Sequence, residues 1–125
     1  MTTSTTIPVP TTAATDRPTT SLIDRARAVG PAIAEHAARH DAEGTFVTEA
    51  YDALGRAGLL KAAVPVELGG DGATLAELTA LQRELGHHCG STALASSMHQ
   101  HVVAFTAWRY RRGMPGAEAT LRRVA

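Results

Sequence analysis

Six histidines in a chain of 125 residues prompt a search for a metal site or an acid–base pair. His36 and His40 are four residues apart and share one face of any helix that holds both. Ala37, Ala38 and Arg39 stand between them, so there is no H-E-x-x-H arrangement, no carboxylate placed as a third ligand, and a cation beside the would-be metal. His99 and His101 are two apart and diverge by about 200° on a helix, which prevents joint chelation but leaves either able to line a pocket. Cys89 follows His87 and His88, and a nearby imidazolium favours a thiolate; a nucleophile also needs an orienting third group, and the sequence offers none. The run Gly69-Gly70-Asp71-Gly72 has the composition of a phosphate cradle, but no predicted strand precedes it, it lacks the Lys-Ser/Thr of a nucleotide loop, and Asp71 repels phosphate. It reads as a tight connection between helices. The chain is therefore expected to carry no catalytic residue, no metal site and no cofactor-binding residue of its own.

The elements that must position these residues are helical. Leu22, Ala26, Val29, Ile33 and Ala37 recur at three- and four-residue steps, with Ser21 as a cap, Gly30-Pro31 as a bend or fresh start, and an end near Gly44. A shorter helix from Thr48 buries Ala50, Tyr51 and Leu54 and closes at Gly58, after which Leu59 and Leu60 tuck beneath it. Residues 62–68 form an extended turn around Pro65. Thr74 and Glu77 make an S/T-x-x-E capping box ahead of the stripe Leu75, Leu78, Leu81 and Leu85. Residues 86–90 break that helix, Ser91 or Thr92 starts the next, and residues 117–125 form a last short one. With alternating strand patterns and Asn-Gly hairpin turns both absent, the expected fold is all-α, a bundle of about four to five helices over residues 21–125.

Residues 1–20, rich in Thr, Pro and Ala, lack the large apolar side chains that would offset the entropy of ordering, and are expected to be a disordered leader. They lack the basic start and apolar core of a signal peptide, and no run approaches the ~20 apolar residues of a membrane span. With a single cysteine, a reducing, cytoplasmic setting is expected. A formal net charge of zero argues against nucleic acid as a partner. The charges are nevertheless segregated, ten acidic against six basic residues over 21–85 and five arginines against Glu118 alone from 86 onward. A basic end of this kind is either a solvated face or an interface left incomplete.

The most unusual stretch is the fourth helix. Leu94, Met98, His101, Val102, Phe105 and Trp108 share one face, which in any helical bundle means core. Ser97 and His101 are polar members interleaved with it, and a face of mixed character often borders a ligand cavity.

Taken in order, Ala57-Gly58-Leu59-Leu60, then Val64-Pro65-Val66-Glu67-Leu68-Gly69-Gly70-Asp71-Gly72, then a leucine-rich helix ending Glu84-Leu85-Gly86, then Ser91 to His101 with a histidine at position 99, the chain resembles the N-terminal helical domain of acyl-CoA dehydrogenases. Val66 departs from the glutamate often found there. The resemblance implies a parent of several hundred residues that oxidises an acyl-CoA thioester to the 2,3-enoyl form with FAD. It implies, too, that a β domain and a C-terminal helical domain, which hold most of the FAD and the catalytic carboxylate, lie beyond Ala125. On this reading the chain is a truncated or split piece, inactive alone, whose partners are those missing domains or a complementary flavoprotein subunit. The helix from Ser91 to Trp108 then forms one wall of the acyl cavity, with Leu94, Ser97, Met98 and His101 as substrate-binding residues. Two alternatives are a non-catalytic helical module of a separate flavoprotein and the N-terminal piece of a flavin-dependent monooxygenase of the same fold.

Overall fold

The computed structural model describes residues 20–125, so the leader proposed for residues 1–20 lies almost wholly outside the described residues. Among the described residues there is no strand; six helices carry the fold: α1 (Leu22–Glu35), α2 (Ala37–Glu43), α3 (Thr48–Arg56), α4 (Leu75–His88), α5 (Gly90–Arg111) and α6 (Ala117–Val124). Helix α1 packs on both α3 and α4, α4 packs on α5, and α5 packs on α6. The largest fully buried side chains, among them Ile33, Leu54, Leu59, Leu81, Leu85 and Leu121, come from nearly every element, so one aliphatic core serves them all.

Helix starts follow local chemistry. The Ser21 hydroxyl accepts from the Asp24 N–H at 3.1 Å, and the box at α4 is complete: Glu77 N–H donates to Thr74 Oγ1 at 3.2 Å while Thr74 N–H donates to Glu77 Oε2 at 2.8 Å. The breaks fall differently from expectation. Pro31 sits inside α1, and the helix ends five residues later at His36. Tertiary packing overrides the local signal there, because Gly30 lies so close to α4 that a Cβ would fall 2.3 Å from the His88 ring. Similarly, Gly86 is absorbed into α4, which runs to His88, and Cys89 alone, extended and buried, separates it from α5. The stretch expected to be extended around Pro65 includes a 3-10 turn at Val66–Leu68. Leu75, expected in the buried stripe, is 79% exposed in the first turn of α4, whereas Leu78, Leu81 and Leu85 are buried.

The glycine loop is closed on itself. Gly69, Gly70 and Gly72 donate their N–H groups to the carbonyls of Val66, Pro65 and Val64. A Cβ at Gly70 would lie 2.2 Å from Val64 O and 2.6 Å from Lys61 O, both backbone atoms that cannot step aside, so only glycine fits. Asp71 between them is buried and meets Arg25 Nη2 at 2.7 Å, while Arg25 Nη1 donates to Ala57 O at 3.1 Å. One guanidinium thus ties α1 to the end of α3 and to the loop ahead of α4. A second tie joins α2 to α3: buried His40 places Nδ1 2.7 Å from Thr45 Oγ1 and Nε2 2.5 Å from Glu49 Oε2, and Arg39 pairs with the same carboxylate.

Glu49 opens α3, and its own backbone N–H together with the His40 hydrogen bond holds its carboxyl down to about 2, the charges of Arg39 and His40 adding to the effect against an opposing contribution from partial burial. A lowered carboxyl stabilises the fold fully above its ordinary value of 4.5 and loses that contribution as pH falls towards 2. The difference in urea midpoint between the wild type and Glu49→Gln is therefore expected to be largest at pH 5 and to vanish near pH 2. A difference that grows on acidification contradicts the tie.

Candidate functional site: an outward apolar stripe and a groove between α4 and α5

Helix α5 buries the side opposite to the one its apolar residues mark. Its buried residues are Thr92, Ser96, Gln100, Val103, Thr106 and Ala107. The stripe read as core is outside: Leu94, Met98, Val102, Phe105 and Trp108 are 44% to 73% exposed, and His101 is exposed among them. The reason lies in the 3-10 turn Leu59–Lys61, which follows the left-handed Gly58 that closes α3. Its first two carbonyls receive donors from α5: Gln100 Nε2 donates to Leu59 O at 2.7 Å, which also accepts from the Ala62 N–H at 3.3 Å, and His99 Nε2 donates to Leu60 O at 2.6 Å. Hydrogen bonds of this kind contribute about 0.5–1.5 kcal/mol each, which favours turning the polar face inward even though it turns the apolar face to solvent.

The outward face is organised. Phe105 and Trp108 stack with centroids 5.8 Å apart and planes 12° from parallel, and the Arg112 guanidinium sits 4.3 Å from the Trp108 ring centroid. Along one flank of the stripe, a groove of about 260 Å³ runs between α4 and α5, lined by Leu75, Leu78, Thr79, Gln82, Ser97, Gln100, His101 and Ala104. The four residues predicted to touch substrate are therefore divided. Ser97 and His101 border the groove, whereas Leu94 and Met98 stand on the open stripe beside it. Two groove residues went unnoticed in the sequence, Gln82 and Gln100. Gln82 is half-buried beside the core series Leu78, Leu81, Leu85, and Gln100 continues the four-residue series Thr92, Ser96, Gln100; a polar side chain along each was the available signal.

The other candidates are structural. His40 is taken up by Thr45 and Glu49. Arg27 lies 3.5 Å from the Glu84 carboxylate and so braces α1 against α4, while His88 lies 3.5 Å from the same carboxylate within α4. Cys89 is buried in the core. The amides of the glycine loop are spent on carbonyls and Asp71 on Arg25, so the loop does not cradle a pyrophosphate.

A helical layer with this glycine turn, this α4–α5 pair and an uncovered apolar wall is matched by the family model described as acyl-CoA dehydrogenase, N-terminal domain, over residues 21–111. The chain belongs to the acyl-CoA dehydrogenase N-terminal domain family. Among curated proteins it is similar to L-evernosamine nitrososynthase from a Micromonospora species, 32% identical over 105 residues. That match takes in 83% of this chain and 25% of the relative, so the chain spans about a quarter of the relative's length. No solved structure matches it significantly. No helix among the described residues is long and apolar enough to cross a membrane.

If the stripe lies outside the core, Met98→Gln changes unfolding free energy by no more than about 0.5 kcal/mol, as surface substitutions do, while Leu81→Ala costs about 2–5 kcal/mol. Paired urea titrations check this, and comparable losses at the two positions contradict the outward orientation.

Proposed function

We propose that this chain is the helical N-terminal layer of a flavoprotein of its family and forms one wall of the substrate cavity, using the α4–α5 groove and the stripe on α5. The observation that carries this reading is the uncovered stripe: an apolar face of five large side chains, edged by a groove and ending in a braced aromatic pair, is a surface shaped for burial against another part of the protein. FAD, the family's usual cofactor, would be held by β and C-terminal segments, since the residues here do not fit it. The family's name favours α,β-dehydrogenation of an acyl-CoA thioester as the parent reaction, which requires a base at the reacting carbon. None of the groove residues is a carboxylate, so that base would come with the other segments. In this role Leu94, Ser97, Met98 and His101 contact substrate without doing chemistry on it.

A second reading has an observation of its own. The relative's name describes a nitrososynthase acting on L-evernosamine, and the groove carries Gln82, Ser97, Gln100 and His101 among its apolar residues. Both suit a monooxygenase-type parent of the same fold, acting on a polar amine, better than a hydrocarbon tail.

The test is flavin uptake. The purified chain incubated with FAD and desalted is expected to retain no flavin absorbance. With a β-plus-C-terminal fragment of a family member it is expected to retain flavin in proportion to the complex formed. Stoichiometric retention by the chain alone overturns its dependence on other segments, and failure in both cases overturns the flavoprotein reading.

A further inference from the structure

The outward face of α5 has the spacing of a helix-binding seam. Leu94, Met98, His101, Phe105, Trp108 and Arg112 follow one another at steps of four, three, four, three and four residues. This heptad rhythm lays them in a narrow strip almost parallel to the helix axis, the arrangement along which a second helix packs at about 20°. All six are exposed. The opposite side of α5 is pinned to the fold by Gln100 and His99, so the strip is held outward and cannot roll inward to bury itself.

The flanks of the strip say what the second helix carries, because residues beside such a seam choose the partner by charge. Ser97, Val102 and Ala104 leave the first part neutral, and Arg109 and Arg111 then make both flanks cationic where the strip reaches Arg112. Among the described residues none of these three arginines is paired with a carboxylate: Glu118, the only acid after residue 86, is held by Arg122 at 2.7 Å, and Arg112 rests on the Trp108 ring. Acidic residues are favoured in the first turns of a helix, at the positive end of its dipole. A helix acidic there brings its acids to the three arginines only when it runs antiparallel to α5. A second copy of α5 does not supply them, since its first turn holds no acid. A flat lipid surface calls for side chains spread across a broad face, whereas here the two rings stack 12° from parallel along the strip.

We infer that the C-terminal half of this strip docks one amphipathic helix of a partner segment, antiparallel to α5, with apolar residues at heptad spacing and acidic residues in its first turns facing Arg109, Arg111 and Arg112. The contact centres on Phe105 and Trp108, so Leu94 and Met98 stay available to the cavity beside the α4–α5 groove. This inference rests on the reading that the stripe is buried against another part of the protein, and adds the shape, direction and charge of what covers it.

Two synthetic three-heptad peptides of identical composition test it. Both carry leucine at the heptad positions; one has glutamates flanking its N-terminal half and lysines flanking its C-terminal half, and the other has these charges exchanged. Calorimetric titration into the full chain at low salt is expected to show the acid-first peptide binding about tenfold more tightly. Reversing both flanking cations, Arg109→Glu with Arg111→Glu, is expected to invert the preference while the far-ultraviolet circular dichroism stays that of the wild type. Equal affinity for the two peptides, or binding of neither, overturns the inference. A chain found dimeric by sedimentation equilibrium overturns it in favour of a second copy, and co-sedimentation with phosphatidylglycerol vesicles without peptide discrimination overturns it in favour of lipid. Flavin uptake with the complementary segments is read separately, so indifferent peptides beside positive uptake reject the docked helix and leave the family role standing.

Discussion

Two carbonyl oxygens, those of Leu59 and Leu60, decide which way the longest helix faces. Once Gly58 has closed α3 in a left-handed turn, the chain enters a 3-10 turn whose first carbonyls point at α5, and Gln100 and His99 satisfy them. A helix cannot present those two side chains inward and also bury Leu94, Met98, Val102, Phe105 and Trp108, since the latter lie on the other side of its axis. Satisfying the backbone therefore fixes the orientation, and the apolar surface left outside is the direct consequence. The balance is understandable in size: two side-chain hydrogen bonds to backbone carbonyls, about 0.5–1.5 kcal/mol each, are on the scale of the partial exposure of a few aliphatic side chains, and the exposed side chains recover their burial whenever a partner covers them.

The remaining contacts keep α5 at its station. Arg25 holds the glycine loop and the end of α3 against α1, which sets where α4 begins. At its other end α4 is braced on α1 by the Arg27–Glu84 pair and by the near-contact of His88 with Gly30. The groove between α4 and α5 has walls fixed from both sides, and Gln100 on its floor is held by Leu59 O.

Much of this was legible in the sequence and some was not, for identifiable reasons. The capping box at Thr74, the closing Gly58 and the leucines of α4 apart from Leu75 announce themselves through local chemistry, and the structure has them as read. The Gly69–Gly72 turn was recognisable as a connection, though its reason, the backbone closure around Gly70 and the Arg25–Asp71 pair, is a tertiary fact. The orientation of α5 was misread because two stripes compete on that helix. Periodicity favours the more hydrophobic one, Leu94 to Trp108, whereas the fold buries the weaker series Thr92, Ser96, Gln100, Val103, Ala107. Hydrophobicity ranks side chains; it does not count the carbonyls that a distant turn leaves open. The same blind spot hid Gln82 and Gln100, while Ser97 and His101 were found because they interrupt an apolar series visibly.

The resulting picture is of a domain whose interior is complete and whose exterior is not. Its core is closed by aliphatic packing, and one face carries an aromatic pair and an apolar stripe with nothing over them among the described residues. Trp108, the single tryptophan of the chain, lies on that face and reports on it directly. The measurement that decides the account is its fluorescence as a β-plus-C-terminal fragment of a family member is added. The account predicts solvent-exposed, readily quenched emission from the chain alone, and a blue shift with loss of acrylamide quenching on complex formation. Emission already blue-shifted and protected in the chain alone, or unchanged in a complex shown to form, contradicts it.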